Sequence, residues 1–305
     1  MRVPKALKAG DTVAMIGVSG CLREADVPAE VKRRAEALEA LGYRVKIDPS
    51  CYSRYGYLSG TDEERAAALQ RAFADDAVDG VWCQRGGWGC MRMLKYMNWD
   101  AMERNPKAFV GYSDITTLHI AMGQRCGLCT FHGPMPGALP TQAWARHSLM
   151  AALSGHPERE MRNPPESPME MLCPGVAEGV LTGGNLSLVA ASLGTADEID
   201  VRGKILFLED VGEEVYALDR YMQELAQAGK LDECAGVLLG QFTNCKAEEG
   251  ETGFTLKEML ADVFRERHVP VLSGLMAGHV RETHTLPMGR AYRMDAERGT
   301  VELLG

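Results

Sequence analysis

The first half of the chain alternates short, continuous apolar runs with longer segments in which apolar residues recur every three or four positions. Continuous runs of this kind predict buried strands, and the longer period predicts helices with one apolar face. Because strands and helices alternate, the pattern predicts a mostly parallel sheet covered by helices on both faces. The predicted strands are 12–18, 43–47, 80–83, 108–112 and 127–131, and the predicted helices are 28–41, 61–73, 91–96 and 114–124.

This pattern weakens between residues 140 and 175, where five prolines fall within 18 residues. Proline at that density interrupts helices and central strands, so the segment is predicted to connect two domains and to contain one helix near 143–153. Beyond it, strands are predicted at 204–208, 235–239 and 269–272, and helices at 218–228 and 255–266. The predicted organisation is an N-terminal α/β domain at 1–140, a linker at 141–178 and a C-terminal domain at 179–305.

Composition narrows the class of protein but leaves its chemistry open. The 305 residues are 46% hydrophobic and 25% charged, with a formal net charge of −9. These values exclude intrinsic disorder and the basic surface that sequence-independent nucleic-acid binding requires.

Nine cysteines, an odd number scattered along a long chain, indicate reduced thiols rather than a disulfide framework. The chain has no signal-peptide core and no membrane-spanning stretch, so we expect a cytoplasmic protein with no membrane or nucleic-acid partner.

Ser113 is the strongest local candidate for a catalytic group. It lies between the predicted strand 108–112 and the predicted helix 114–124, a corner that can expose a serine hydroxyl as in a nucleophile elbow. The next backbone N–H, that of Asp114, lies at a helix N-terminus, where negative charge is stabilised. The full G-x-S-x-G signature is absent, and the local sequence alone slightly favours the simpler role of helix cap.

A serine nucleophile needs a general base and an acid that orients the base. His279 lies in a glycine-containing loop just past a predicted strand, where α/β sheets present functional residues, and His284 is its rival five positions later. Glu209 and Asp210 end the apolar run 205–208, and a carboxylate at such a position is partly buried and needs a partner. A structural salt bridge would explain either carboxylate equally well.

A glycine-rich segment, RGGWG at residues 85–89, also follows a predicted strand. Its glycines allow the backbone to approach a ligand closely, and its N–H groups can bind an oxyanion. An ordinary tight turn explains the segment equally well, because neither phosphate-loop signature is present.

Cys126 and Cys129, with His132 close by in the sequence, raise the question of a metal site. A structural zinc site needs four ligands, and the sequence offers no second pair. The two cysteines also lie along a predicted strand, where alternate side chains point to opposite faces. We therefore expect buried thiols, no metal and no cofactor.

Several separated motifs, taken in order, resemble the LD-carboxypeptidase family of serine peptidases (family S66) over nearly the whole chain. They are GVSG (17–20), RGGWG (85–89), NPKAFVGYSDIT (105–116), HGP (132–134), GGNL (183–186), LEDVGE (208–213), GH (278–279) and TLPMG (285–289). Each motif alone is weakly specific, but jointly they favour the nucleophile role of Ser113 over the helix cap.

The resemblance implies a Ser-His-Glu triad in which Ser113 is the nucleophile, His279 the general base and Glu209 the orienting acid. It implies that the backbone N–H groups of Gly87 and Asp114 form the oxyanion hole. It also implies a flavodoxin-like N-terminal domain with a parallel sheet, a smaller β-rich C-terminal domain and a homodimer. The nucleophile would come from the first domain and its partners from the second, so catalysis would require both.

The family typically removes the terminal D-alanine of murein tetrapeptide during cell-wall recycling in the cytoplasm. The resemblance therefore implies a small peptide substrate, whose free carboxylate needs a cation, and Arg85 is the candidate. Trp88 stands where the family commonly has Tyr, which makes it a candidate substrate wall, and residues 280–285 differ from the loop typical of the family. Two alternatives stay open: a microcin C-type self-immunity peptidase acting on aminoacyl-nucleotide antibiotics, and a catalytically silent ligand-binding protein on the same fold.

Overall fold

The computed structural model describes residues 1–246 and 253–304 and divides into two compact units. The first unit contains residues 1–157 together with 285–287, and the second contains the remaining described residues. Each unit is built around its own sheet.

The helices and strands of the first unit alternate as the hydrophobic pattern predicts. In chain order they are β1 (Thr12–Ile16), α1 (Val27–Glu39), β2 (Arg44–Ile47), α2 (Asp62–Ala74), β3 (Gly80–Cys83), α3 (Cys90–Met93), α4 (Asp100–Arg104), β4 (Ala108–Gly111), α5 (Thr116–Cys126), β5 (Thr130–His132) and α6 (Ala143–Leu153). The short helix α4 is the one element in this series that the sequence pattern did not predict.

The sheet of the first unit is flavodoxin-like, as the resemblance implies. Its five strands from the N-terminal half are parallel and lie in the order β2-β1-β3-β4-β5. Alternate residues of β1 enter different apolar clusters: Ala14 and Ile16 pack with residues of α2 and α5, whereas Val13 and Met15 pack with residues of α1 and α6. Helices therefore cover both faces, and the carboxyl ends of β1, β3 and β4 lie side by side.

The second unit contains a mixed sheet and four helices among its described residues. Its elements are β6 (Glu160–Met161), β7 (Glu170–Cys173), β8 (Val176–Asn185), α7 (Leu186–Ala191), β9 (Ile205–Val211), α8 (Val215–Gln227), α9 (Lys230–Glu233), β10 (Gly236–Thr243), α10 (Leu256–Phe264), β11 (Val271–Ser273), β13 (Ala291–Asp295) and β14 (Thr300–Leu304), whereas β12 (Leu286–Met288) hydrogen-bonds to β5 at the edge of the first sheet. The sheet has eight strands in the order β6-β14-β13-β8-β9-β10-β11-β7.

Strands β8, β9, β10 and β11 run parallel through the centre of this sheet, and antiparallel strands flank them on both sides. The predicted strands at 204–208, 235–239 and 269–272 correspond to β9, β10 and β11, and the predicted helices to α8 and α10. The remaining elements of this half were not predicted: the strands β6, β7, β8, β12, β13 and β14 and the short helices α7 and α9.

The segment 141–178, predicted as a linker, is divided between the two units. Its helix α6 belongs to the first unit, and β6, β7 and the start of β8 belong to the second. The prolines do not mark an unstructured connection because they fall between these elements rather than within them. Pro157 follows α6, three prolines lie between β6 and β7, and Pro174 lies in the turn before β8.

Candidate functional site

Ser113 lies at the end of β4 in a conformation that serine rarely adopts. Its φ of 67° is left-handed, and Asn244 is the only other non-glycine residue with a positive φ in the described part of the chain. A 3-10 turn, Ser113–Ile115, leads directly into α5. The turn is tight: a Cβ on Gly111 would lie 2.9 Å from the side chain of Ile115. A left-handed serine on a strand-to-helix corner is the backbone geometry of a nucleophile elbow.

The glycine-rich loop after β3 lies directly against Ser113. A Cβ on Gly86 would be 2.9 Å from Cβ and 3.1 Å from Oγ of Ser113, so a side chain there would displace the serine. Gly87 has a φ of 124°, and a Cβ on it would be 3.3 Å from the Cα of Gly20 in the loop after β1. The close approach of three loops therefore requires glycine at both positions.

Asp114 directly follows Ser113 in the 3-10 turn, and its side chain is buried. One carboxylate oxygen, Oδ2, accepts hydrogen bonds from the hydroxyl of Ser19 at 2.5 Å and from the backbone N–H of Cys90 at 3.0 Å. This oxygen therefore bonds to the loop after β1 and to the first residue of α3, which follows the glycine-rich loop.

Arg85 and Trp88 flank the same loop. The guanidinium of Arg85 donates to the carbonyl of Cys21 at 2.8 Å and forms no ion pair with any described residue. Burial, followed by repulsion from Arg23 and Arg34, lowers the pKa of Arg85. Trp88 is 43% exposed, which is high for so large an apolar side chain. A partly buried cation without a carboxylate partner is suited to binding an anion.

In the second unit, Glu209 and His279 form a close pair. Nδ1 of His279 lies 2.7 Å from Oε2 of Glu209, and the backbone N–H of His279 donates to the same oxygen at 3.1 Å. The Glu209 side chain is fully buried, and that of His279 is 14% exposed. An ionised carboxylate can only accept, so Nδ1 carries the proton in the neutral ring and Nε2 is the basic nitrogen.

Glycines shape the slot that holds the Glu209 carboxylate. A Cβ on Gly278, whose φ is 115°, would overlap Oε2 of Glu209, and a Cβ on Gly240 would lie 3.1 Å from the Glu209 Cβ. Glu209 is thereby kept in one position at the end of β9, against the residue that precedes His279. The sequence analysis did not identify this role of Gly278, although its place directly before His279 was a signal.

Asp210 and His284, the alternative candidates for the acid and the base, make other contacts. Asp210 accepts hydrogen bonds from Asn185 and from the backbone N–H groups of Ser187 and Val211, and burial raises its pKa. His284 is buried, donates from Nε2 to the carbonyl of Arg162 at 3.2 Å, and has its pKa lowered by burial to about 4. Asp210 therefore ties the end of β9 to the start of α7.

Two buried histidines, His119 and His132, lie close to the strand end that precedes Ser113. His119 in α5 donates from Nε2 to the carbonyl of Gly111 at 2.9 Å and accepts at Nδ1 from Thr130 at 2.8 Å. Burial lowers its pKa to about 3, so the ring is neutral near pH 7. His132 packs 6.1 Å from His119, measured between ring centroids. His119 thus supports the strand end that precedes Ser113.

The cysteines are thiols, and eight of the nine are buried. The prediction that Cys126 and Cys129 lie along one strand was wrong: Cys126 is the last residue of α5, where its thiol contacts the carbonyl of Trp99, and Cys129 lies beyond the turn, just before β5. Among residues 1–246 and 253–304, no group of three or more His, Cys, Asp or Glu side chains is placed to hold a metal ion.

The predicted site residues thus fall into two groups. The first unit brings Ser113, Asp114, Arg85, Gly87 and Trp88 together on adjacent loops, and the second brings Glu209 and His279 into contact. Sequence reasoning missed Gly86, Ser19 and Gly278 as individual contributors. Gly86 and Ser19 lie inside motifs that it singled out, and only the close contacts distinguish them from neighbouring residues.

Within the described part of the chain, no helix combines the length and apolar character needed to cross a bilayer.

Comparisons with known proteins agree with the fold. Residues 13–133 match the LD-carboxypeptidase N-terminal domain, and residues 178–294 match the LD-carboxypeptidase C-terminal domain. The chain is 40% identical to a probable murein peptide carboxypeptidase of Bacillus subtilis, over 98% of this chain and 93% of that protein. It is 30% identical to a murein tetrapeptide carboxypeptidase of Pseudomonas aeruginosa, over 86% of this chain and 87% of that protein.

A solved structure with a similar fold is that of the microcin C7 self immunity protein MccF in complex with aspartyl sulfamoyl adenosine. It superimposes with a TM-score of 0.89 at 22% identity and covers 100% of this chain and 99% of that one. Identity this low bears on the fold alone. The two domain matches and the relatives of 30–40% identity carry the assignment: the chain belongs to the LD-carboxypeptidase family of peptidases.

Proposed function

We propose that this protein is a serine carboxypeptidase that cleaves the bond before the C-terminal D-alanine of murein tetrapeptide. The observation that carries the proposal is the left-handed Ser113 at the end of β4. Strain of this kind persists where the surrounding structure holds it, and nucleophilic serines are presented in this way. The Glu209–His279 pair in the second unit supports it, since the pair leaves Nε2 of His279 as the basic nitrogen.

In the proposed reaction, the Ser113 oxygen attacks the scissile carbonyl while Nε2 of His279 takes its proton. Glu209 holds Nδ1–H and stabilises the imidazolium that forms. The N–H groups of Gly87 and Asp114 stabilise the negative carbonyl oxygen. His279 then protonates the departing D-alanine nitrogen as the C–N bond breaks, and water hydrolyses the acyl-enzyme to regenerate Ser113. The proposed reaction requires both units, because Ser113 belongs to the first and Glu209 and His279 belong to the second.

Arg85 is our candidate for binding the terminal carboxylate of the substrate. Its guanidinium is partly buried and forms no ion pair among the described residues, so an arriving carboxylate would meet a cation that is not already neutralised. Trp88 is our candidate for a wall of the substrate site because it is exposed beside Gly87.

The names of the relatives favour murein peptides as substrates over other peptides. We accordingly propose a role in peptidoglycan recycling, in the cytoplasm and as a homodimer, without metal or cofactor. The alternative is hydrolysis of an aminoacyl-nucleotide antibiotic, in keeping with the fold shared with MccF. A third possibility is a ligand-binding protein without catalytic activity, and the experiment must distinguish it from the two hydrolases.

The test is incubation with murein tetrapeptide and, separately, with aspartyl sulfamoyl adenosine, following released amino acid by mass spectrometry. We expect D-alanine from the tetrapeptide and a much slower reaction with the nucleotide. Ser113→Ala should lower kcat by at least about 10³-fold, because the nucleophile is lost. Ser154→Ala, which removes a half-buried hydroxyl bonded only within its own helix end, is the matched control and should leave kcat unchanged.

Faster release from the nucleotide than from the tetrapeptide would establish the alternative. No turnover of either substrate by the folded wild-type protein would favour a silent ligand-binding protein. Full activity of Ser113→Ala would overturn the nucleophile assignment.

A further inference from the structure

One peptide group in the glycine-rich loop is held at both ends by buried charged side chains. The carbonyl of Gly89 accepts a hydrogen bond from Nη1 of Arg65 at 2.9 Å. The N–H of Cys90, which belongs to the same peptide group, donates to Oδ2 of Asp114 at 3.0 Å. This peptide group follows Gly87, the proposed oxyanion donor, by two residues.

Arg65 projects from α2 and is fully buried. Besides the Gly89 carbonyl, its guanidinium donates to the carbonyls of Val18 at 2.8 Å and Gly60 at 3.3 Å, and to Asp62 at 2.5 Å. Burying a guanidinium is costly unless it is hydrogen-bonded throughout, and here its bonds reach three separate loops. Arg65 therefore fixes the relative positions of the loops after β1 and β3.

Asp114 acts on the same two loops from the other side. Its Oδ2 accepts from the hydroxyl of Ser19 in the loop after β1 and from the backbone N–H of Cys90, the first residue of α3, directly after the glycine-rich loop. Arg65 binds the residues immediately before these, Val18 and Gly89, through their carbonyls. Each loop is thus held by a cation at a carbonyl oxygen and by a carboxylate at the adjacent donor.

We propose that Arg65 and the side chain of Asp114 are positioning residues for the oxyanion hole, a proposal that rests on the proposed function. They touch neither substrate nor reacting atoms in that mechanism. They hold the glycine-rich loop against Ser113, so that the N–H of Gly87 stays aimed at the developing negative charge. The carboxylate of Asp114 thereby acts on the loop that carries the other donor, while its own N–H serves the oxyanion directly.

Small displacements of an oxyanion-hole donor have large effects on kcat, so holding this loop in place matters for the proposed reaction. Loss of one oxyanion donor costs about 10²- to 10³-fold in kcat, and a displacement of about 1 Å can cost about 10²-fold. A loop with glycine at three of five positions has little stiffness of its own, because glycine backbones have the greatest conformational freedom. Hydrogen bonds to charged groups are about twice as strong as neutral ones, so they suit this purpose.

The experiment uses the full chain with Arg65→Met, Arg65→Lys, Asp114→Asn and Ser19→Ala. Two quantities are measured: kcat and KM for murein tetrapeptide, and the rate at which a fluorophosphonate probe labels Ser113. The labelling reaction also places an oxygen in the oxyanion hole but needs no peptide binding. Unfolding in urea establishes that each variant is folded.

For Arg65→Met we expect kcat and the labelling rate to fall about 10²-fold together, with KM within about twofold. Arg65→Lys should show a smaller loss, since its ammonium can still donate to a loop carbonyl. Asp114→Asn should also lose less than Arg65→Met, since the amide oxygen can still accept from Ser19 or Cys90. Ser19→Ala removes one donor to Asp114 and should lower kcat about fivefold. Combining Arg65→Met with Asp114→Asn should cost less than the two separate losses multiplied, because both act through one peptide group.

The matched control is Lys107→Met, which removes another buried cation that donates to backbone carbonyls away from this loop. It should be destabilised with kcat unchanged. A folded Arg65→Met variant with kcat and labelling rate within about twofold of wild type would overturn the proposal. If that variant does not fold, an unchanged kcat in Ser19→Ala together with Asp114→Asn would overturn it. Failure of the proposed function itself would look different, as an inactive wild type or an active Ser113→Ala variant.

Discussion

At the scale of the residue, Gly278 constrains the second unit because it lies directly against the Glu209 carboxylate. The absence of a side chain at Gly278 lets one carboxylate oxygen receive both the backbone N–H and the Nδ1–H of His279. Two donors on one oxygen fix the ring orientation and the tautomer at once. A methyl group at this position would occupy the space of that oxygen.

We therefore expect Gly278→Ala to lower kcat by about 10²-fold or more, because the Glu209–His279 contact would be broken. The matched control is Gly194→Ala, also in the second unit with a positive φ of 71° but with no atom within 4 Å of the added methyl. The control should lose about 1 kcal/mol of stability through backbone strain and keep its kcat. Equal kcat values for the two variants in steady-state assays would contradict the steric argument.

His119 offers a second residue-scale prediction, concerning pH. Its pKa is lowered to about 3 in the fold, against 6.5 when exposed, so the unfolded chain binds a proton that the folded chain does not. The neutral, buried His119 therefore costs no unfolding free energy above pH 6.5, and the unfolding free energy falls progressively as pH decreases from 6.5 toward 3. Between pH 7.5 and 5.0, we expect His119 to account for about 2 kcal/mol of lost unfolding free energy.

The check is urea unfolding of the wild type and of His119→Gln at both pH values. Glutamine can still donate to the Gly111 carbonyl but does not titrate, so the pH-dependent loss should be smaller by about that amount. An identical loss in both proteins would assign the pH dependence to other groups. His284, whose pKa is lowered to about 4, contributes in the same direction and is present in both proteins.

At the scale of the element, the two ends of α2 differ in whether neighbouring residues alone predict their contacts. The hydroxyl-then-acid pattern at 61–64 predicted a helix start, and Thr61 does cap α2 in a capping box with Glu64. The start of the helix depends on residues within one turn of each other, so it can be read from the sequence. The other end of α2 is completed by Lys107, which is 33 residues beyond Ala74 and could not be matched to it in advance.

Lys107 is buried just before β4, and its ammonium donates to the carbonyls of Ala72 at 3.1 Å and of Asp75. These carbonyls have no further turn of α2 to bond, and a cation at a helix C-terminus is favourable. Lys107→Met should therefore cost about 2 kcal/mol of unfolding free energy, because the buried Ala72 carbonyl loses its ammonium donor and the Asp75 carbonyl keeps only the Val78 N–H. Urea unfolding measures this loss, and stability within about 0.5 kcal/mol of wild type would contradict it.

At the scale of the whole molecule, the chain returns to the first unit after most of the second has been completed. Residues 285–287 belong to the first unit, where β12 adds the edge strand next to β5. Thr285 is buried, its backbone N–H donates to the Ser148 hydroxyl oxygen at 3.2 Å, and its side chain lies against Gly133. The first sheet is therefore incomplete in any fragment that ends at residue 157.

We expect fragment 1–157 to be less stable than the same fragment joined by a glycine-serine linker to residues 283–289. Without β12 the edge of β5 is exposed, and an exposed edge strand favours aggregation. Sedimentation and urea unfolding of the two fragments make the comparison. Equal stability and equal solubility would show that β12 is dispensable for the first unit.

The sequence by itself determined most helices and strands of the first unit, the parallel character of its sheet and the corner position of Ser113. Each of these follows from hydrophobic period or from neighbouring residues, and both are local properties. The motifs in their order also identified the family, because separated motifs jointly carry more information than any one of them.

Only the tertiary structure decided which atoms meet. His279 meets Glu209 across 70 positions, and Asp114 meets Ser19 across 95. The sequence analysis left Glu209 and Asp210 indistinguishable by their local surroundings, because both end the same buried strand. What separates them is the opposite pointing of adjacent side chains in a strand and the space left by Gly278, a residue 69 positions away from Glu209. Contacts of this kind depend on how distant segments pack, and no local pattern encodes them.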